Sequence, residues 1–177
     1  MSEAIAIFGS ARRNGNTGKF IDFISEALDL SVIDLAEKNL SPFDYEHKNI
    51  HDDFIPIMDE VLDYKKILFV SPVYWYAMSA QMKIFIDRTS DFLHVNELED
   101  KGRKLRGKIG YVVCTSISSE ADQSFVNSFK DTLEYLGMTY GGHIHANCKD
   151  GYNATQYAND VNHFVQAVKN STVCRHV

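Results

Sequence analysis

An apolar run, Ala4-Ile5-Ala6-Ile7-Phe8, breaks at Gly9 into Ser10-Ala11-Arg12-Arg13-Asn14-Gly15-Asn16-Thr17, and helical spacing starts at once with Phe20, Phe23, Ile24, Ala27 and Leu28. The sequence therefore predicts a buried strand that turns through a polar loop straight into an amphipathic helix. Hydroxyls, amides and guanidinium groups are crowded at the start of that helix. There the first amides lack intrahelical acceptors and the macrodipole is positive, so the position favours an anion. The loop lacks the Lys of G-x-x-x-x-G-K-[ST], the spacing of G-x-G-x-x-G and any Cys. Those absences argue against a nucleotide P-loop, a Rossmann dinucleotide loop and a cysteine phosphatase. Taken alone, the same residues also describe an ordinary polar turn capped by Asn16 or Thr17.

The same alternation continues down the chain. A short strand is expected at 30–35 and a polar, aromatic loop at 36–50, followed by a helix from about Asp52 to Tyr64. Lys66 to Ser71 is the next continuous apolar run, as for a central parallel strand covered on both faces. A helix is expected from Ser79 through Phe92, a strand over 107–115, a helix over 120–136 stopped by Gly137, a strand over 138–146 and a last helix over 155–169. Five strands alternating with five helices predict an α/β fold: a flavodoxin-like, doubly wound, five-stranded parallel sheet in the order 2-1-3-4-5, with helices on both faces and residues 1–177 forming one domain. The order reverses between the first and third strands. The loops after Phe8 and Val70 should therefore converge on one crevice, with the loop after Cys114 beside them.

Composition narrows the function. A net charge of −6 argues against nucleic acid, whose phosphates demand a basic face, and no apolar stretch approaches the length of a membrane span. The start, Met1-Ser2-Glu3, lacks the basic and apolar regions of a signal peptide, so a cytoplasmic location is expected. Cys114, Cys148 and Cys174 are odd in number and widely spaced, which suits a reducing compartment better than a disulfide framework. His143 and His145, on one face of a strand, are a conceivable metal pair, although no metal site is expected.

The loop after the third strand, Ser71-Pro72-Val73-Tyr74-Trp75-Tyr76-Ala77-Met78-Ser79, brings aromatic surface to the crevice. Its alternative role is to pack beneath a neighbouring helix. A ligand that bridges anion donors and an aromatic wall carries a phosphate at one end and a flat ring system at the other. FMN has that shape.

Residues 71–88, Ser-Pro-Val-Tyr-Trp-Tyr-Ala-Met-Ser-Ala-Gln-Met-Lys-Ile-Phe-Ile-Asp-Arg, resemble the signature of the NAD(P)H-dependent FMN reductase family, flavodoxin-like flavoproteins related to the iron-sulfur flavoproteins. Gly9 to Thr17 resembles the phosphate loop of the same family, and the match extends over essentially the whole chain. The resemblance implies that Ser10, Arg12, Asn14, Asn16 and Thr17 hold the FMN phosphate. It also implies that Pro72, Val73, Tyr74 and Trp75, with Met78 and Ser79 behind them, line the ribityl chain and ring, and that Thr115 and Ser116 meet the pyrimidine edge.

No side-chain acid or base is then obligatory, because the flavin carries the hydride chemistry. The expected activity moves electrons from NADH or NADPH to a quinone, a flavin or another small acceptor, with alternating occupancy of one face and in a homodimer. A flavodoxin-like FMN carrier serving protein partners is the alternative, and a binding module that has lost the flavin a third. Lys83 and Asp87 fit a helical ion pair, and Arg88 is open to a subunit contact. The chain departs from its relatives in lacking a cysteine cluster before Asp52-Asp53, in carrying Tyr76 where small residues are common, and in lacking glycines over 115–119.

Overall fold

The computed structural model describes residues 3–172. Five parallel strands, β1 (Ala4–Phe8), β2 (Ser31–Asp34), β3 (Lys66–Tyr74), β5 (Ile109–Ser116) and β6 (Thr139–Asn147), form one sheet in the order β2-β1-β3-β5-β6. A two-residue strand, β4 (Ala77–Met78), folds back antiparallel onto β3 and pairs Val73 with Met78 and Tyr74 with Ala77. The parallel strands stand in the expected order. The small hairpin is the addition, because β3 runs past the sheet and its aromatic residues turn back on themselves.

The strands alternate between two apolar layers. Ile5 and Ile7 face helices α2 (Phe54–Leu62), α3 (Ala80–Arg88) and α6 (Gln123–Tyr135) through Phe54, Phe85 and Phe129. Ala4, Ala6 and Phe8 face α1 (Asn16–Leu28) and α7 (Ala154–Asn170) through Phe20, Ile24, Val161 and Phe164. This period of two places both faces of β1 and most of β3 out of water, which is why their sequences read as unbroken apolar runs. Register between β1 and β3 (Phe8 opposite Val70) and between β3 and β5 (Pro72 opposite Thr115) brings the ends of these three strands to one rim.

Helix boundaries moved where side chains intervened. The helix expected from Ser79 through Phe92 is broken: Ser79 is its N-cap, accepting from the Met82 amide, and α3 stops at Arg88. The Thr89 hydroxyl donates to the Ile86 carbonyl and Arg88 grips Asp91, so the chain restarts as α4 (Asp91–His94), followed by α5 (Glu99–Arg103). At β6, Tyr140 and Gly142 oppose Gly110 and Tyr111 in turn, leaving Gly141 as an extra residue. No described helix is long and apolar enough to cross a membrane.

Arg88 does not reach the surface, so the subunit contact open to it in the sequence is not its role. It is fully buried, donates to Asp91 at 2.7 Å, to Asp52 and to the Ser41 carbonyl at 3.2 Å, and lies 4.9 Å from the centroid of the Phe54 ring. His47 meets the other Asp91 oxygen at 3.0 Å, and Asp52 also accepts from the amides of Ser41 and Phe54. These bonds fasten the 36–50 loop over α3 and α4, with Phe43, Tyr45, His47 and His94 clustered above. Lys83 and Asp87 form the surface ion pair that their spacing indicates.

Candidate functional site

Beyond the rim of β1, β3 and β5 lies a cleft of about 470 Å³, within the range of small-ligand sites. Its first wall is the start of α1. The N-cap position is Gly15, with no side-chain cap and no acidic residue in the first turn, so Asn16 and Thr17 are first-turn residues instead of caps. The close fold of this loop is fixed by Gly18: a Cβ there would lie 1.6 Å from the Arg13 carbonyl oxygen. Asn16 is oriented by the Tyr152 amide, which donates to Oδ1 at 3.3 Å and leaves the side-chain NH₂ available. Thr17 shares a 2.7 Å hydrogen bond with Thr115. Arg12 lines the cleft, whereas Arg13 is turned aside, paired with Asp22 and placed over the Phe8 ring.

The opposite wall is the β3-β4 hairpin. Its two turn residues, Trp75 (φ 51°) and Tyr76 (φ 66°), both occupy the left-handed region, where a two-residue hairpin ordinarily places Asn-Gly. Non-glycine residues there cost of order 1 kcal/mol each, and such strain gathers at functional sites. The result is presentation. Trp75 is 95% exposed, Tyr76 68% and Tyr74 50%, at the mouth of the cleft. The exposure answers the alternative of packing beneath a helix.

Behind the hairpin, Ser79 is fully buried, donating to the Gly9 carbonyl and accepting from Met82, while its own amide donates to Ser71 at 3.0 Å. This hydroxyl network ties the first loop to the second. Gly9 is required because a Cβ there would lie 2.7 Å from that of Met82.

Of the residues named from sequence, Ser10, Arg12, Asn16, Thr17, Pro72, Val73, Tyr74, Trp75, Thr115 and Ser116 all line the one cleft. Met78 and Ser79 stand behind its wall in the core, and Asn14 is exposed outside the lining. Ile117, Ser118, Asp122 and Cys148 also line it. Ile117 and Ser118 merely continue the loop after β5. Asp122 gave no separate signal because it reads as the cap of α6, and Cys148 follows the last strand, outside the crossing point used to locate the crevice.

The electrostatics are graded along the cleft. The first loop offers a cationic side chain and open amides. At the far side Asp122 is held below the ordinary carboxylate range by the Ser124 hydroxyl and the amides of Phe125 and Ser124, while burial pushes the Cys148 thiol up. His143 meets the Tyr140 hydroxyl at 2.9 Å and His145 meets Ser116 at 2.8 Å. Among the described residues, no group of three or more His, Cys, Asp or Glu side chains is placed to hold a metal ion. Cys114 and Cys148 are free thiols, and Cys174 lies outside the described residues.

The donor set fits FMN. An uncapped helix start with an adjacent guanidinium suits a phosphate, and an aromatic wall across the same cleft suits a flat ring.

Comparison with known proteins points the same way. The Bacillus subtilis (strain 168) protein provisionally named NAD(P)H-dependent FMN-containing oxidoreductase YwqN is 25% identical over 146 residues, covering 78% of this chain and 81% of its own. The iron-sulfur flavoprotein MJ1083 of Methanocaldococcus jannaschii is 30% identical over 133 residues, covering 68% of this chain and 65% of its own. The structure of the Trp repressor binding protein from Bacillus subtilis superposes with a TM-score of 0.73 at 21% identity, covering 96% of this chain and 99% of that one, a likeness of fold. The model of the NADPH-dependent FMN reductase family matches residues 3–170. The chain therefore belongs to the NADPH-dependent FMN reductase family and is an FMN-dependent, NAD(P)H-using oxidoreductase.

Proposed function

We propose that FMN lies along this cleft, its phosphate against residues 10–17 and its ring between the hairpin and residues 115–118, and that the enzyme passes electrons from NADH or NADPH to a quinone, a free flavin or another small acceptor. The observation that carries this reading is the uncapped start of α1 facing the strained aromatic hairpin across one cleft.

When bound, FMN supplies hydride acceptance and release, with negative charge gathering on its pyrimidine edge in the reduced state. The residues supply position. Arg12, the Asn16 amide group and the first amides of α1 bind the phosphate, while Ser10 and Thr17 are held at the back by burial. Tyr74 and Trp75 hold the ring flat, Pro72 keeps the backbone near it rigid, and Thr115 and Ser116 meet its polar edge. Donor and acceptor use the remaining open side in turn, at the mouth framed by Trp75 and Tyr76, which makes the kinetics ping-pong.

The apolar rim of Tyr74, Trp75, Tyr76 and Ile117 supports a homodimer, with a twofold partner covering part of it. A single domain working in the cytoplasm completes the proposal. Two measurements test it. The purified protein should show a bound-flavin spectrum that bleaches on anaerobic addition of NADPH or NADH. Arg12→Glu, an exposed change, weakens FMN binding about 100-fold while far-UV dichroism is unchanged. Unaltered affinity in that variant overturns the phosphate assignment, and a flavin that the nicotinamides fail to bleach overturns the reductase reading.

A further inference from the structure

Ser116 lines the cleft at the end of β5, and its hydroxyl oxygen has two protein partners. The Ser118 amide donates to it at 3.1 Å, and Nε2 of His145, on the neighbouring strand β6, lies 2.8 Å away. His145 is not part of the cleft lining. Both strand ends are fixed at this point. The Cys148 amide donates to the Ser116 carbonyl at 2.7 Å, and Tyr157 closes on Asn147 twice, accepting from its amide at 2.9 Å and donating to its carbonyl at 3.1 Å. The imidazole is thus delivered to Ser116 by a rigid frame.

A serine hydroxyl has one proton and two acceptor positions. The Ser118 amide uses one acceptor position. If Nε2 carries a proton it takes the other, and the serine proton has nowhere to go but the cleft. If Nε2 is bare, the serine proton goes to the imidazole and Ser116 offers the cleft an acceptor. Two of the three imidazole forms carry the proton on Nε2: the cation and one neutral tautomer. Burial, with His143 on the same strand adding to it, lowers the His145 pKa, so the ring is uncharged at neutral pH, and the Nε2–H tautomer is the form in which it donates to Ser116.

We infer that His145 is a positioning residue: by donating to Ser116 it turns the serine hydroxyl into a hydrogen-bond donor for the polar edge of the ring bound in the cleft, and so favours the reduced over the oxidised cofactor. The inference rests on the proposed placement of FMN. Its logic is that a donor aimed where charge accumulates acts on the charged state more than on the neutral one.

The experiment is a spectroelectrochemical titration of the FMN-loaded protein. Ser116→Ala and His145→Leu each weaken binding of reduced relative to oxidised flavin about tenfold, a fall of about 30 mV for a two-electron couple. His145→Asn, whose shorter amide falls short of Ser116, reads out the same loss should the leucine variant fail to fold. His145→Gln, which restores an N–H at similar reach, recovers the wild-type potential. The double variant His145→Leu/Ser116→Ala falls no further than Ser116→Ala alone, as for one residue acting through the other. A wild-type potential in both His145→Leu and His145→Asn, or additive shifts in the double variant, overturns the inference. A wild-type potential in Ser116→Ala itself overturns the placement of the ring edge, so the two failures are distinguishable.

Discussion

The hydroxyls of Thr17 and Thr115, 98 residues apart in the chain, meet at 2.7 Å beneath the cleft. They pin the start of α1 to the end of β5, so the two ends of the cleft share one anchor. Both residues are 4% exposed. Replacing Thr115 by Val leaves the Thr17 hydroxyl buried without its partner and is expected to cost about 1–2 kcal/mol. The double variant, Thr17→Val with Thr115→Val, should cost less than the sum of the singles. Urea unfolding of the three variants measures this.

Trp75 and Tyr76 give a prediction of opposite sign. Glycine adopts positive φ without penalty, and these side chains are exposed, so Trp75→Gly and Tyr76→Gly each should stabilise the protein without its cofactor by about 1 kcal/mol, or about 2–4 °C in melting temperature. The same changes remove the aromatic wall and should weaken FMN binding several-fold. Calorimetry with and without FMN separates the two effects.

Trp75 is the chain's one tryptophan, and it stands 95% exposed at the cleft mouth. Its fluorescence should report water exposure in the protein without cofactor and be strongly quenched as FMN is added. An emission that ignores FMN would place the ring elsewhere.

Arg88 is a buried cation between Asp52 and Asp91, and truncating one partner of such a set strands the others. Arg88→Met should cost about 3–5 kcal/mol. Because the loop it fastens does not line the cleft, flavin content of the folded fraction should be unchanged. Chemical denaturation followed by flavin fluorescence checks both halves.

The same network sets an acid limit. Desolvation pushes the Asp52 carboxyl up, but the Arg88 guanidinium and the amides of Ser41 and Phe54 outweigh it and hold the pKa below its usual value. A pKa lower in the folded than in the unfolded chain adds stability above the ordinary carboxylate range, and that contribution fades as pH falls through the depressed value. The stability gap between wild type and Asp52→Asn should therefore be widest near neutrality and narrow below about pH 4. Urea midpoints across that range test the sign.

The sequence by itself determined the parallel sheet, its strand order and the meeting of the first and third loops. Short continuous apolar runs such as residues 67–70, in alternation with helical patterns, suit strands covered on both faces, and a reversal of strand order places one crevice. Tertiary structure alone decided what depends on side chains meeting from distant positions. The burial of Arg88, the break in the helix after it, the αL hairpin that lifts Trp75 clear of the core and the His145–Ser116 contact are of this kind. Periodicity reports which face of an element is apolar. It carries no information about which partner a charge or an imidazole finds once the faces have packed, because that choice is made by geometry across strands and helices that the chain joins only through long connections.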